Sequence, residues 1–328
     1  MSPRFIRLAA ALAASTFAWL ALPASAQVAY PERPLRIVIG QAAGGAVDTV
    51  ARTLAEGLGQ ALGQPVTVEN KPGAGGMVAA ESVARAPRDG YTLGLLDVGS
   101  LAVNPVLQAK IRYDVNKDFS FVGSVARIPL ALVAHPSVPV DTLADLTRQL
   151  KANPGKFSYA SAGVGSPPHL TFEAYKQRAG VFVTHLPYRG GAPALADVVA
   201  GHVPLTVIDT NLANQYLKDK RIKVLAVATT QRSPLMPQVP TFVEAGLADF
   251  EFAPWVGLVA PAGLNAATAA RLSAALAQVM GGADFQARMR NIGFVSLPGD
   301  GAALEGLVKA DLKRYGTLIR EQGIRLED

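Results

Sequence analysis

The sequence predicts an α/β protein made of two successive units. Short apolar runs typical of buried strands alternate with amphipathic runs typical of helices, an order that favours parallel strands joined by right-handed crossovers. This alternation begins at Leu35 and starts again near Leu130. The length of 328 residues is sufficient for two domains of ordinary size.

The first 26 residues are predicted to be a signal peptide. Arg4 and Arg7 give a positive start, residues 8–22 are uncharged and mostly apolar, and Ala24-Ser25-Ala26 has the pattern of a cleavage site. A membrane anchor is the alternative, but this apolar stretch is shorter than the roughly 20 residues that span a bilayer. We therefore expect export to the periplasm with cleavage after Ala26.

Composition excludes several functions. The chain has no cysteine, so disulfides, thiolate catalysis and cysteine-ligated metals are excluded. The formal net charge is +6, but the basic residues are dispersed and no aromatic residues interleave them, so nucleic acid is not an expected partner. A mildly positive surface would help to attract anionic ligands.

The first unit reads as strand, helix, strand, helix, strand. Residues 48–62 are predicted to form an amphipathic helix, because apolar residues recur every four positions from Val50 to Leu62 and Gly63 ends the pattern. The other elements are expected at 35–40, 66–69 and 91–96 for the strands and near 78–86 for the second helix.

The second unit continues the alternation. Its helix at 168–179 is expected to be capped by Ser166 and ended by Gly180. The predicted strands are 130–135, 157–161, 182–186, 205–209 and 224–229, and the other helices are 142–152, 193–200 and 212–220.

A final strand at 255–261 and helices at 266–280 and 303–322 follow a proline-rich segment. Terminal segments of this kind often return to the first domain. This interpretation gives a discontinuous domain 1 and a domain 2, with crossings near 126–129 and 252–255, although periodicity alone does not establish it. The predicted division is 27–126 with 254–328 for domain 1 and 127–253 for domain 2.

Three glycine-rich loops each lie between a strand and a helix. Glycine lets the backbone approach a ligand closely, and a helix N-terminus offers N–H groups and a positive dipole end, so such loops can bind an anion without a basic side chain. Each could equally be only a tight turn. The candidate residues are Gly44, Gly45 and Asp48 in the first loop, Ser161, Gly163, Gly165 and Ser166 in the second, and Tyr188, Gly190 and Gly191 in the third.

Three further interpretations keep a structural alternative. Asp48 most simply caps or begins its helix. Asp209 follows a strand, where α/β proteins place ligand contacts, but it could equally cap the next helix. His169 lies one turn into its helix and could face a cleft, whereas His185 lies on a strand and reads as a core residue.

No enzymatic motif is evident. The chain lacks a Walker A motif, G-x-S-x-G, H-E-x-x-H, and a G-x-G-x-x-G that follows a strand, and its four histidines are far apart in sequence. We therefore predict no catalytic residue, no cofactor and no metal site.

A series of short motifs runs through nearly the whole mature chain in a fixed order. These are G-G-x-x-D at 44–48, V-E-N-K-P-G-A-G-G at 68–76, D-G-Y-T-L at 89–93, Y-A-S-A-G-x-G-S at 159–166 and H-x-P-Y-R-G at 185–190. Each motif is weak alone, but their order and spacing are specific. In these motifs the chain resembles the tripartite tricarboxylate transporter receptors, also called Bug-type extracytoplasmic solute receptors.

The resemblance implies a type II periplasmic-binding-protein fold of two domains with the ligand cleft between them. It implies a monomeric receptor that captures a small carboxylate and delivers it to two integral-membrane transporter subunits. In this family, the loops that match 44–48 and 161–166 hold one carboxylate, partly through ordered water. The segments that match 188–191 and Asp209 complete the cleft.

The chain departs from the family pattern at two places. Gly40-Gln41-Ala42-Ala43 stands where the family usually has an aromatic residue and a proline, so the pocket wall is smaller and more polar. Asp97 and Ser100 follow the third strand at an expected cleft position. Asp97 is expected to face an ammonium, ring N–H or hydroxyl of the ligand, or alternatively to cap the next helix or to pair with an arginine.

Three functions compete at this point. A transport receptor is the leading one, and a ligand-presenting partner of a membrane sensor kinase would share the same fold and cleft. An exported enzyme acting on a carboxylate is disfavoured because the nucleophile, metal and cofactor motifs named above are missing.

Overall fold

The computed structural model describes residues 30–108, 110–188 and 190–325. The predicted signal peptide and its cleavage site therefore lie outside the described residues. Contacts divide the chain into residues 1–32 and a compact unit of residues 33–328, and the architecture below is that of the second unit.

The described strands carry the labels β1 to β11 in chain order. They are β1 (Leu35–Ile39), β2 (Val66–Asn70), β3 (Thr92–Asp97), β4 (Phe119–Arg127), β5 (Leu130–Ala134), β6 (Ser158–Ser161), β7 (Thr184–Pro187), β8 (Leu205–Asp209), β9 (Lys223–Val227), β10 (Trp255–Pro261) and β11 (Val295–Asp300).

The described α-helices carry the labels α1 to α10. They are α1 (Ala46–Leu62), α2 (Met77–Ala84), α3 (Asn104–Leu107), α4 (Leu143–Ala152), α5 (Pro167–Ala179), α6 (Gly191–Val199), α7 (Thr210–Lys218), α8 (Ala266–Gly281), α9 (Ala283–Asn291) and α10 (Gly301–Glu321). A 3₁₀ turn at Ala74–Gly76 precedes α2, and a π-helical segment at Gly99–Val103 precedes α3. None of the helices in the described part of the chain is long and apolar enough to span a bilayer.

The strands form two sheets. The first has the order β11-β4-β10-β3-β1-β2, in which β1 is parallel to β2 and β3 while β10 and β11 pair antiparallel with their neighbours. The second has the order β7-β6-β8-β5-β9, in which β6 is parallel to β7 and β8 while β5 is antiparallel to β8 and β9. Each sheet thus has one edge at which three parallel strands end, and this is where open α/β sheets bind ligands.

The chain passes from the first sheet to the second at Ile128 and Pro129 and returns over residues 228–254. The two passages are hydrogen-bonded to each other, since the N–H of Ile128 donates to the carbonyl of Pro254 at 2.7 Å. The first passage falls within residues 126–129, and the second ends within residues 252–255. The assignment of each sheet to a separate domain stays a prediction.

One hydrophobic core contains side chains from both sheets. Val38 and Leu96 of the first sheet belong to the same buried cluster as Leu132 and Leu205 of the second. Trp255, at the start of β10, is also in this cluster and is almost fully buried. The passages between the sheets are therefore anchored in continuous apolar packing.

Most predicted elements agree with the structure within two residues, but strands β4 and β11, helix α9 and the short helix α3 were not predicted. Strand β4 escapes a periodicity search because Ser120, Gly123 and Ser124 interrupt its apolar run. Strand β11 contains proline and glycine, and pairs with β4 alone. Helix α9 is mostly polar and buries only Phe285 and Met289.

Candidate functional site

The loop after β1 is held by the carboxylate of Asp48. This buried side chain accepts the N–H of Gly44 at 2.9 Å, both a guanidinium Nε–H and Nη2–H of Arg52 at 2.9 and 3.0 Å, and the amide of Asn70 at 2.9 Å. Helix α1 begins at Ala46 with Gly45 as its N-cap, so Asp48 lies within the first turn and neither caps nor begins the helix as the sequence suggested. With these partners, the carboxylate fixes the shape of the loop.

The network also keeps Asp48 ionised. Desolvation, the largest contribution, raises its pKa, but the hydrogen bonds from Arg52, Gly44 and Asn70 more than compensate and lower the pKa to about 2. The loop that contains Gly44 and Gly45 is exposed, in contrast to the buried carboxylate beneath it.

Asp97 ends β3, beside the start of the same loop. Its Oδ1 accepts the N–H and the hydroxyl of Ser100, each at 2.9 Å, and its Oδ2 accepts the amide of Gln41 at 2.9 Å. Burial raises the pKa of Asp97. The structure thus realises the capping alternative, since Asp97 caps the segment Gly99–Val103, and it adds Gln41 as an unexpected partner.

Ser100 is packed too closely to contact a ligand freely. A Cβ on Gly76 would lie 2.3 Å from Ser100 Oγ, and the hydroxyl of Tyr113 donates to the carbonyl of Ser100 at 2.6 Å. Ser100 is almost fully buried and orients Asp97.

In the second sheet, Ser161 ends β6 and is fully buried. Its Oγ accepts the N–H of Gly163 at 3.1 Å and lies 2.7 Å from Nε2 of His185. The hydroxyl therefore shapes its own loop from within. His185, expected to be a core residue, is half-buried and supports this hydroxyl.

Ser166 and Gly180 delimit α5 as the sequence predicted. The Oγ of Ser166 accepts the N–H of His169 at 3.4 Å, and Gly180 closes the helix in the left-handed conformation. His169 is buried, and its Nδ1 accepts the N–H of Gly165 at 3.0 Å. His169 thus holds the glycine loop from behind.

The two histidines form part of a buried aromatic stack. The rings of His169 and His185 are 4.0 Å apart, and that of Tyr159 lies 4.9 Å from His185. Below the stack, Glu173 accepts the hydroxyl of Tyr159 at 2.5 Å. Desolvation is the main cause that lowers the pKa of His169 to about 4 and of His185 to about 3, so both rings are neutral at pH 7.

The third loop lies against the second. The N–H of Tyr188 donates to the carbonyl of Ser161 at 3.0 Å, and its hydroxyl donates to Asp197 of α6 at 2.5 Å. Gly190 is the N-cap of α6 and has a φ of 114°, which favours glycine, while Gly191 is exposed.

Asp209 ends β8, which is next to β6 in the sheet. It is the N-cap of α7, where its Oδ1 accepts the N–H of Leu212 at 3.0 Å, and burial raises its pKa. The capping alternative is therefore the arrangement in the structure.

The second loop contacts the helical segment that follows Asp97. A Cβ on Gly165 would lie 2.2 Å from the side chain of Leu107 and 3.8 Å from that of Val103. The second and third loops are brought together, and the second also meets the end of the first sheet.

Three supporting contacts were not predicted from the sequence: those of Asn70 with Asp48, of His185 with Ser161 and of Gln41 with Asp97. Asn70 ends β2, so its place at the carboxyl end of a parallel strand was the available signal.

Comparison with known proteins identifies the family of this chain. The family model of the tripartite tricarboxylate transporter family receptor matches residues 50–324. The chain belongs to this receptor family. Protein BugT of Bordetella pertussis, a receptor-family relative in sequence, is 32% identical over 311 residues, which cover 94% of this chain and 95% of BugT.

Solved structures agree with this assignment. Rpa4515 of R. palustris, solved with adipate, superposes with a TM-score of 0.83 at 32% identity, covering 90% of this chain and 99% of that one. MatC of Rhodopseudomonas palustris, solved with bound malate, has a TM-score of 0.79 at 31% identity and covers 88% and 100%. The predicted α/β periplasmic-binding-protein fold with two sheets is thereby confirmed for this family member.

The buried histidines predict a pH dependence of stability. Their pKa values are about 4 and about 3 in the folded protein, against about 6.5 when unfolded. At pH values between the folded and unfolded pKa, the unfolded state binds more protons than the folded state. The contribution of the two histidines to the free energy of unfolding is therefore complete above pH 6.5 and is lost as the pH falls towards 3. We expect His185→Gln to flatten the fall in the free energy of unfolding, by up to about 1.4 kcal/mol per pH unit.

Urea unfolding from pH 7 to pH 4 checks this expectation. The difference between variant and wild type isolates the histidine from other titrating groups. The matched control is His202→Gln, because His202 is exposed in the turn after α6 and should leave the slope unchanged. Equal slopes for wild type and His185→Gln would contradict the assignment.

Proposed function

We propose that this chain is a periplasmic receptor that captures a small carboxylate and delivers it to the two integral-membrane subunits of a tripartite tricarboxylate-type transporter. Membership of the receptor family supports this function. The relatives solved with adipate and with malate support a carboxylate as the ligand. Export with cleavage after Ala26, a monomeric state and the absence of catalysis are parts of the same proposal.

One observation carries the proposal. Helices α1 and α6 begin at the ligand-binding edges of the two sheets, and their N-caps are Gly45 and Gly190. Glycine supplies no capping side chain, so first-turn N–H groups and the positive dipole end are available to an anion. In contrast, α5 and α7 are capped by Ser166 and Asp209.

This contrast assigns different roles to the candidate residues. We place the backbone at Gly44, Gly45, Gly190 and Gly191 against the ligand carboxylate. Eight other candidates hold the loops in shape or cap the neighbouring helices, behind this backbone: Asp48, Ser161, Gly163, Gly165, Ser166, His169, Tyr188 and Asp209.

A ligand screen tests the function. The purified protein is examined by native mass spectrometry for a co-purified ligand, and its thermal unfolding is followed with mono-, di- and tricarboxylates, aromatic acids and amino acids. A carboxylate that binds only the folded state should raise the melting temperature as its concentration exceeds the Kd. Stabilisation by none of the carboxylates would argue against the proposal.

Glycine variants test the site. Gly191 is exposed, and a Cβ there would meet nothing within 4 Å, so Gly191→Val should fold normally while its side chain occupies the ligand's place. We expect it to weaken binding of the carboxylate from the screen by about tenfold or more, the loss of one well-made hydrogen bond to a buried charge.

The matched control is Gly281→Val, at the end of α8, where a Cβ also meets nothing within 4 Å. Calorimetric titration should give the wild-type Kd for this control. Wild-type affinity in Gly191→Val would move the carboxylate site away from α6.

We also propose that the two sheets belong to separate domains that close on the ligand by a hinge motion at the passages near Ile128 and Pro254. The two passages are hydrogen-bonded to each other where the N–H of Ile128 donates to the carbonyl of Pro254, which suits a hinge. Small-angle scattering should give a smaller radius of gyration with saturating ligand. The same ligand added to Gly191→Val is the control, and an unchanged radius in wild type at proven saturation would contradict closure.

A further inference from the structure

Gln41 and Asp97 form a hydrogen-bonded pair where β1 and β3 end. The amide Nε2 of Gln41 donates to Asp97 Oδ2 at 2.9 Å, while Asp97 Oδ1 is occupied by Ser100. The carbonyl oxygen Oε1 of Gln41 is completely buried and has no hydrogen-bond partner among the described residues. A buried acceptor without a partner is unfavourable, so this oxygen lacks a donor.

The neighbouring carboxylate fixes which way the Gln41 amide points. If the amide were rotated by 180°, its carbonyl oxygen would face Asp97 Oδ2, and two acceptors cannot bond to each other. The orphaned atom is therefore an acceptor.

The pair also lacks a cation. Within the described residues, Asp97 forms no salt bridge, and its partners are the neutral groups of Ser100 and Gln41. Tyr113 also lies close by, since its hydroxyl donates to the carbonyl of Ser100, and its pKa is raised by burial and by Asp97. The oxygens of Asp97 next to the orphaned carbonyl favour a hydrogen-bond donor and disfavour a second group that can only accept.

The pair adjoins the proposed carboxylate site. Gln41 belongs to the loop that contains Gly44 and Gly45, and this loop leads into α1. The ligand's carboxylate and a second group of the same small molecule can therefore be bound by one loop.

We propose that Gln41 and Asp97 are specificity-determining residues that accept hydrogen bonds from a hydroxyl or ammonium group of the carboxylate ligand. The proposal rests on the function proposed above and narrows its substrate class. The receptor selects hydroxy- or amino-substituted carboxylates, with the acid group at the glycine loops and the donor group at Gln41 and Asp97.

Matched probes test the selection by calorimetric titration of the purified protein. The series are propionate, lactate and alanine; succinate, malate and aspartate; and glutarate, 2-hydroxyglutarate and glutamate. Within at least one series, a substituted member should bind about tenfold or more tightly than its unsubstituted counterpart, because only the former satisfies the orphaned carbonyl.

Two variants test whether Gln41 and Asp97 determine the ratio of affinities for the substituted and unsubstituted members of a series. Asp97→Asn gives position 97 an amide that can donate to Gln41, so the Gln41 amide is free to rotate and to present its NH₂ group instead of its oxygen. Gln41→Met removes the carbonyl at similar size. In both, the ratio should fall towards one or invert, while binding of the unsubstituted member is kept or improved.

The matched control for an Asp→Asn change is Asp141→Asn, because the side chain of Asp141 is 87% exposed and pairs with Lys223 at the start of β9 in the second sheet. It should keep the wild-type ratio. Thermal melting without ligand confirms that each variant is folded, and Gln41→Met decides the case if Asp97→Asn is unfolded.

The outcomes separate this proposal from the function on which it rests. Equal affinity for substituted and unsubstituted members, or an unchanged ratio in both folded variants, would overturn the specificity proposal and leave the carboxylate receptor intact. In that case ordered water satisfies the carbonyl of Gln41. Binding of no carboxylate would overturn both.

Discussion

Backbone N–H groups at the start of a helix need a partner, and the way this need is met organises the candidate site. Helices α5 and α7 meet it internally, through Ser166 and Asp209. Helices α1 and α6 begin at Gly45 and Gly190, which have no side chain with which to cap them. In the site we propose, an anion would complete these two helices, so the same constraint that shapes the fold would also provide a binding site.

Such loops must be rigid to bind an anion without a basic side chain, and each is held by buried polar groups. Asp48 ties Gly44 to Arg52 and Asn70 in the first sheet. In the second, neutral histidines support Ser161 and Gly165. The conformational-entropy cost of ordering the loops therefore falls on folding. Binding does not have to offset it, so more of the interaction energy contributes to affinity. These polar residues act through the backbone that they position.

The start of the first loop provides hydrogen-bond acceptors, in contrast to the donors at its glycines. The glycine loops carry backbone donors, whereas the pair of Gln41 and Asp97 contains the acceptor Oε1 of Gln41 that has no partner among the described residues. In the site we propose, a plain dicarboxylate would satisfy the donors but leave the carbonyl oxygen of Gln41 unpaired, which would lower the affinity for that ligand. The departure from the family pattern at Gly40-Gln41-Ala42-Ala43 and the acid at Asp97 are thus one change, because the two side chains bond to each other.

The sequence by itself determined most of the regular elements, the caps at Ser166 and Gly180, the three loops and the family, because helix period, capping and motif order are local properties of the chain. Only the tertiary structure decided what each polar side chain contacts. Asn70 reaches Asp48, His185 reaches Ser161 and Gln41 reaches Asp97 across 22, 24 and 56 positions of sequence. Pairing of parallel strands brings these residues to common edges, and hydrophobic periodicity does not encode which strands are neighbours or how their ends align.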